Sequence, residues 1–258
     1  MKKALLHVLV PVCACAAVAA SGLLDSVSVD LTYEHYAERA VPQLPAFLAM
    51  PFNSLVNLGY LVMGLYWLRR SEEGSYNDGR AAYHKDVFAI MAIAYGPVQW
   101  VRLATLSRLP AVLDQWFTLP IFAWVPVWCG YITHGWRPGR ALALELTSLA
   151  SYGLALLHPR GFEVALGLHV ALAVARGCEV QKRHGDGRSL RYLCLAVLSC
   201  VGFVVLKLLD LPLDRVWLFR HLSGHFWSKV CDVLQFHYSF CFLTYLTRVA
   251  STRKAYMD

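Results

Sequence analysis

Apolar runs recur along the whole chain, and short polar segments separate them. A transmembrane helix needs about 20 predominantly apolar residues to cross a bilayer, and several runs approach that length. With 57% of its 258 residues hydrophobic, the chain has no room for a sizeable soluble domain. The pattern predicts an all-α, polytopic transmembrane helix bundle. We predict eight spans: Ala4–Leu24, Ala46–Leu68, Asp86–Leu106, Ala111–Ile132, Ala141–Leu157, Phe162–Val180, Tyr192–Leu211 and His225–Leu246.

The first span has features of both a signal peptide and a membrane anchor. Lys2 and Lys3 precede an apolar run that ends in small residues near Gly22, as in a secretory signal. The run is long for the apolar part of a signal peptide, which favours a retained signal-anchor helix. We therefore expect an N-terminal hydrophobic helix over residues 1–24 and about seven core helices in a single bundle over residues 25–258.

The distribution of positive charge predicts how the bundle lies in the membrane. The net charge of +7 comes from residues in short loops between apolar runs, so membrane orientation explains it better than nucleic-acid binding. With the first span retained, about three times as many Lys and Arg residues fall in inner segments as in outer ones. Both termini are then cytosolic. The sequence does not distinguish an endomembrane from the plasma membrane.

Charged and amide side chains gather at one depth in five predicted spans. His225, Lys229 and Asp232 share one face of the last helix, at i, i+4 and i+7. A charge at membrane depth is costly unless it is paired or faces an interior or a water-filled cavity. In each of the five spans these residues lie in the outer half of the bilayer. The predicted cluster consists of Asn53, Ser54, Asn57, Gln99, Arg102, Asp114, Lys207, Asp210, His225, Lys229 and Asp232.

Two interpretations of this cluster stay open. The first is a polar chamber that opens toward the lumenal or extracellular side. The second is a set of local pairs at the membrane edge, Lys207 with Asp210 and Lys229 with Asp232, each at i, i+3 spacing. For the chamber, we predict that the Lys229 ammonium contacts Asp114 or Asp232.

Sequence motifs give little support to a catalytic or metal site. The chain has no HExxH, GxSxG or P-loop motif, and we assign no catalytic residue and no cofactor. Its eight cysteines form no CxxC and are predicted to be buried free thiols. A zinc site would need about three protein ligands. His221, His225 and Asp114 are weak candidates for one.

Six segments distributed over nearly the whole chain carry a resemblance to a known family: Pro45–Asn57, Tyr95–Trp100, Val112–Trp124, Ser148–Pro159, Gly161–Gly167 and Gly224–His237. They resemble the transmembrane protein 187 family. This resemblance implies that family's fold and a membrane location, and it implies no mechanism.

A remoter resemblance is to the seven-helix superfamily of alkaline ceramidases and adiponectin receptors. Phe52–Asn57 is similar to the polar motif in the first core helix of that superfamily, and Asp114 is similar to its helix-opening aspartate. The superfamily's final HxxxH pair corresponds here to His225 and Lys229, so the second histidine is lost. The third metal histidine would fall in Gln99–Ser107, which contains no His. The implied zinc site is therefore incomplete.

Four functions are compatible with these features. The one we favour is a non-enzymatic multi-pass membrane protein that binds a lipid or a partner through the outward chamber. The others are a zinc-dependent lipid hydrolase, active or degenerate, a transporter that uses Lys229 and Asp232, and a structural bundle without a ligand. The bilayer and a lipid ligand are the expected partners, nucleic acid is not, and protein partners stay open.

Overall fold

The computed structural model describes residues 1–31, 38–70, 79–220 and 222–255 of the chain. Within these ranges the regular elements are all helical, which confirms the predicted fold class. Two 3-10 turns lie at Ala46–Leu48 and Trp217–Phe219. The α-helices are α1 (Lys2–Ala20), α2 (Pro51–Leu55), α3 (Leu58–Arg69), α4 (Gly79–Thr105), α5 (Arg108–His134), α6 (Pro138–Ser151), α7 (Leu154–Leu157), α8 (Gly161–His184), α9 (Gly187–Leu208), α10 (Asp210–Leu213) and α11 (Gly224–Ala255).

Six helical segments of the described chain are long and apolar enough to cross a membrane: α1, α4, α5, α6 with α7, α8 and α9. The chain is therefore an integral, multi-pass membrane protein. The second predicted span differs from the expectation, because it is divided into α2 and α3. The last predicted span forms α11, whose 32 residues make a helix about 48 Å long. Helix α11 is long enough to cross a membrane, but it is more polar than the six segments named above.

The centre of the bundle is formed by α4 and α5. About two thirds of their apolar windows are buried, 61% and 67%, whereas α6, α8 and α9 bury 22 to 28% and present apolar side chains outward. Helix α11 packs against α9, and α3 packs against α4. Helix α1 packs on α4 and α5, where Ala4 and Val8 are buried. A contact of 3.0 Å joins His7 Nε2 of α1 to Glu145 Oε1 of α6.

The two ends of the bundle differ in chemistry. At the end that carries Met1, which we call the proximal end, the core is aromatic. The Trp128 indole donates to Thr247 Oγ1 at 3.0 Å, and the Trp124 indole donates to the carbonyl of His84 at 2.9 Å. At the opposite, distal end, where α4 ends and α5 begins, charged side chains are buried. The distal end is therefore where the polar residues of several helices meet.

All eight cysteines are free, as predicted. The prediction that they are buried is wrong for Cys13, Cys178 and Cys194, which are exposed on the outside of the bundle. On outward-facing helix surfaces in a membrane, a small thiol is covered by lipid as readily as by protein.

Candidate functional site: a polar chamber at the distal end

A cavity of about 250 Å³ lies among α4, α5, α8 and α9 at the distal end. We call it the distal chamber and define it by its polar lining residues: Ser28, Asp30, Arg102, Asp114, Gln115, Thr118, Glu163 and Lys207. Three of these, Arg102, Asp114 and Lys207, belong to the cluster predicted from sequence. Tyr95 and the apolar residues Pro159, Phe162, Leu166 and Phe203 complete the lining.

The deepest charged contact in the chamber is a buried ion pair. Arg102 Nη1 donates to Asp114 Oδ2, and the two side chains are only 9% and 7% exposed. The other carboxylate oxygen, Asp114 Oδ1, is buried without a hydrogen-bond partner among the described residues. A buried carboxylate oxygen needs donors to offset the loss of water. Asp114 Oδ1 is therefore a buried acceptor beside the chamber, without a donor among the described residues.

Thr118 and Tyr95, which also line the chamber, form hydrogen bonds next to Asp114. Thr118 Oγ1 donates to the Asp114 carbonyl at 2.8 Å, and it lies 3.1 Å from the Tyr95 hydroxyl. Thr118 follows Asp114 by one helical turn, so both residues face the same way. The Tyr95 ring thus forms a fixed wall between the chamber and the helices behind it.

Behind that wall, Asp232 accepts a hydrogen bond from the Tyr60 hydroxyl at 2.5 Å. The Tyr60 and Tyr95 rings meet edge to face, with centroids 5.2 Å apart. Polar groups of α3, α4, α5 and α11 are therefore arranged in one continuous layer.

The prediction for Lys229 is wrong. Among the described residues, no carboxylate oxygen lies within 4.0 Å of its ammonium. Instead, Lys229 Nζ lies 5.8 Å from the centre of the Tyr95 ring and 5.9 Å from that of Phe203, both of which line the chamber. The reason is that Asp114 is paired with Arg102 and Asp232 with Tyr60. Ring faces attract a desolvated ammonium, which keeps the buried Lys229 beside the chamber without a direct ion pair.

The alternative of local pairs also fails at both positions in the described chain. Neither Lys207 and Asp210 nor Lys229 and Asp232 approach within 4.0 Å. Lys207 lines the chamber, and its ammonium lies 5.8 Å from the Phe203 ring centre. Asp210 Oδ1 accepts from the backbone N–H of His225 at 2.7 Å, in the first turn of α11. Asp210 and His225 therefore fix the start of α11.

The asparagines of the second span are buried but lie outside the chamber lining. Asn57 Nδ2 donates to the Asn53 carbonyl at 2.9 Å, and Ser54 is likewise buried. Both Glu38 carboxylate oxygens accept from the N–H groups that open α2, those of Phe52 and Asn53, at 2.8 and 2.7 Å. Burial raises the pKa of the Glu38 carboxyl, although the two N–H donors oppose the shift.

Gln99 of the predicted cluster is also buried and lies outside the chamber lining. Its Nε2 atom has no hydrogen-bond partner among the described residues. Gln99 therefore belongs to the same polar layer without a contact that defines a role.

The metal candidates do not assemble in the described part of the chain. No group of three His, Cys, Asp or Glu side chains there could hold a metal ion. Asp114 is engaged by Arg102, and His221 lies outside the described residues.

Sequence reasoning missed several residues of this site, among them Asp30, Tyr60, Tyr95, Thr118 and Glu163. Helical spacing contains a signal for two of them, because Tyr95 lies one turn before Gln99 and Thr118 lies one turn after Asp114. Tyr60 is three residues after Asn57, but an aromatic residue in a membrane helix carries no polar signal of its own. Glu163 was missed because it opens α8 at the edge of an apolar run.

Fold and site together define a polytopic helical membrane protein with a buried polar chamber near one membrane face. The chain belongs to the TMEM187 protein family, whose model matches residues 4–244. It is 60% identical to transmembrane protein 187 of Homo sapiens over 243 residues, which cover 94% of this chain and 92% of the relative. It is 57% identical to transmembrane protein 187 of Bos taurus over 247 residues, which cover 95% and 96%. No solved structure matches the chain.

Proposed function

We propose that this protein is a non-enzymatic, membrane-embedded binding protein whose distal chamber holds the head of a zwitterionic phospholipid. The observation that carries the proposal is a cavity of about 250 Å³ whose lining combines paired charges with apolar walls. Ligand sites combine apolar walls with placed polar groups, and this lining has both, with a larger polar share than usual.

The charges of the lining suit a head group that carries both signs. Lys207 supplies a cation, and Glu163 supplies an anion that faces the same cavity. Asp30 adds a second carboxylate to the lining. A phosphate beside Lys207 and an ammonium beside the carboxylates would each gain a charge-assisted contact. The apolar residues Phe162 and Leu166 would contact the part of the lipid nearest its glycerol.

The orientation predicted from positive charge assigns the distal end to the non-cytosolic face. Under that orientation the proximal end and both termini are cytosolic. We propose that the chamber accepts its lipid from the outer or lumenal leaflet. Helices α8 and α9, which border the chamber, expose apolar side chains such as Val164 and Val204 to lipid, and this supports lateral entry.

Native mass spectrometry of the full chain, extracted from membranes in a mild detergent, tests the proposal. We expect the wild-type protein to retain phosphatidylcholine or phosphatidylethanolamine near one copy per chain. Lys207→Met should reduce retention about tenfold or more, because a hydrogen bond to a charged group contributes about 1.5–3 kcal/mol. Lys182→Met is the matched control, since Lys182 is exposed at the proximal end and does not line the chamber.

Equal retention in both variants would contradict a head-group contact at Lys207. Near-stoichiometric zinc in the purified protein, lost in His225→Ala, would instead indicate a zinc-dependent hydrolase. Substrate flux in proteoliposomes that disappears in Asp232→Asn would indicate a transporter. Either of these last two results would overturn the binding-only proposal.

A further inference from the structure

A second cavity lies at the proximal end, under the turn that joins α5 to α6 and against α8. Its volume is about 180 Å³. Three arginines line it: Arg137 and Arg140 at the start of α6, and Arg176 on α8. It shares no lining residue with the distal chamber, so its role is independent of the function proposed above.

The charge of this cavity is unbalanced. The one acidic residue of its lining, Glu179, is already bound by two arginines, Arg176 Nη1 at 2.7 Å and Arg183 Nη2 at 2.8 Å. Among the described residues, no carboxylate oxygen lies within 4.0 Å of the Arg137 or Arg140 guanidinium. Two guanidinium groups at one cavity rim therefore have no anionic partner in this part of the chain. Guanidinium groups match the oxygens of a phosphate in a bidentate geometry.

The walls of the cavity favour a lipid over a soluble anion. Leu144 and Leu172 line it, and Leu172 is also exposed on the outer surface of α8. That surface continues along α8 through Leu168, which is 63% exposed. A lipid could place its phosphate at the arginines and its acyl chains along Leu172 and Leu168, and so contact one continuous surface. A free phosphate would use only the arginines.

We propose that this proximal cavity binds the phosphorylated head group of an anionic phospholipid, with Arg137 and Arg140 contacting the phosphate. Basic pockets between transmembrane helices on the cytoplasmic side are suited to such head groups. The same charge distribution that orients the protein would thus also select a lipid of the cytosolic leaflet.

The test uses the full chain in detergent and a short-chain phosphatidylinositol phosphate as probe, with binding measured by thermophoresis. Each lost charge-assisted hydrogen bond to the phosphate should cost about tenfold in affinity, so Arg137→Gln with Arg140→Gln should weaken binding about 100-fold. The control is Arg191→Gln with Arg253→Gln, which removes the same charge from exposed positions outside the cavity. The control should lose far less affinity.

Two further arms separate the lipid from a soluble anion and guard against misfolding. Inositol phosphate and inorganic phosphate should bind at least about tenfold more weakly than the lipid, because they lack the buried methylene groups. Arg137→Lys with Arg140→Lys should recover part of the affinity, since lysine keeps the charge but not the bidentate geometry. Equal losses in the cavity variant and the control would overturn the proposal. So would soluble phosphates that bind as tightly as the lipid.

Discussion

The distal and proximal ends of this bundle accommodate polar side chains differently. At the distal end, Arg102, Asp114 and Asp232 are inside the core and are paired by contacts between helices. At the proximal end the core is mainly aromatic, around Trp124 and Trp128, and the arginines lie on the surface. The buried cation there, Lys85, is held by the backbone carbonyls of Trp67 and Arg70. The comparison teaches that a polar cavity, and not the burial of charge as such, distinguishes the distal end.

The largest effect is expected when the buried ion pair is broken. Arg102→Met leaves the Asp114 carboxylate buried beside an apolar side chain and should lower the free energy of unfolding by about 3–5 kcal/mol. The measurement is equilibrium unfolding in mixed micelles. The double variant Arg102→Met with Asp114→Leu should recover most of this loss, because it leaves no buried charge uncompensated. A single-variant loss below about 1 kcal/mol, typical of an exposed pair, would show that the distal end is not buried.

A smaller effect is expected at the contact behind the chamber wall. Tyr60→Phe removes the hydroxyl that donates to Asp232 and leaves that carboxylate short of a donor, which costs about 1–3 kcal/mol. Tyr66→Phe is the matched control on the same helix, because its hydroxyl accepts from Arg70 at an exposed position. The same unfolding assay applies to both variants. Equal losses would mean that Asp232 gains nothing from its buried contact with Tyr60.

At the proximal end, Asp186 links the start of α9 to α11 outside the membrane. The Tyr245 hydroxyl donates to its carboxylate, and Asp186 Oδ1 also accepts from the Ser189 N–H at 2.9 Å. These donors, the Tyr245 hydroxyl above all, lower the pKa of the Asp186 carboxyl. Because the pKa of Asp186 is lower in the folded protein, its ionised carboxylate stabilises the fold. This stabilisation is complete above the unfolded pKa of about 3.9 and is lost as pH falls through the folded pKa.

The thermal stability difference between the wild-type protein and Asp186→Asn measures this contribution. The difference should be constant near neutral pH and should shrink at pH values below about 4. A difference that keeps the same size at every pH would contradict a role for the ionised carboxylate.

The smallest effect is expected at the exposed proximal pair. Arg176→Gln removes one of the two arginines on Glu179, and the Arg176 side chain is 52% exposed. Exposed ion pairs contribute little to stability, and Arg183 still neutralises the carboxylate. Thermal unfolding should therefore be nearly unchanged. A loss comparable with that of Arg102→Met would remove the contrast between the two ends.

Much of this architecture follows from local sequence pattern. Apolar run length predicts the helices, and the position of charge within each run predicts the depth of the polar layer. His169, a lone histidine on an apolar helix, is a hydrogen-bonded packing residue, as helical spacing favours. Its ring nitrogens contact the Ala165 carbonyl at 2.7 Å and Ser148 Oγ at 2.9 Å. Ala165 lies four residues earlier on the same helix, and Ser148 lies on α6, the span next to α8 in the chain.

Partners across the bundle were not predictable in the same way. Helical periodicity assigns a side chain to a face of its own helix, but it does not say which neighbouring helix that face meets. Asp232 therefore appeared to pair with Lys229 on its own helix, whereas its partner is Tyr60 on α3. The division between α2 and α3 was missed for a related reason, since the run from Ala46 to Leu68 is long and mainly apolar and was interpreted as one span.

The central claim is that the distal chamber is a polar space open to the non-cytosolic side, and thiol accessibility tests it most directly. Leu166 lines the chamber, whereas Leu168, two residues later on α8, faces outward and is 63% exposed. In a background without the eight native cysteines, each leucine is changed singly to cysteine. A charged, membrane-impermeant thiosulfonate is then added from the non-cytosolic side. The account predicts rapid labelling of Leu166→Cys and none of Leu168→Cys. Labelling of Leu168→Cys alone, or of neither variant, would contradict it.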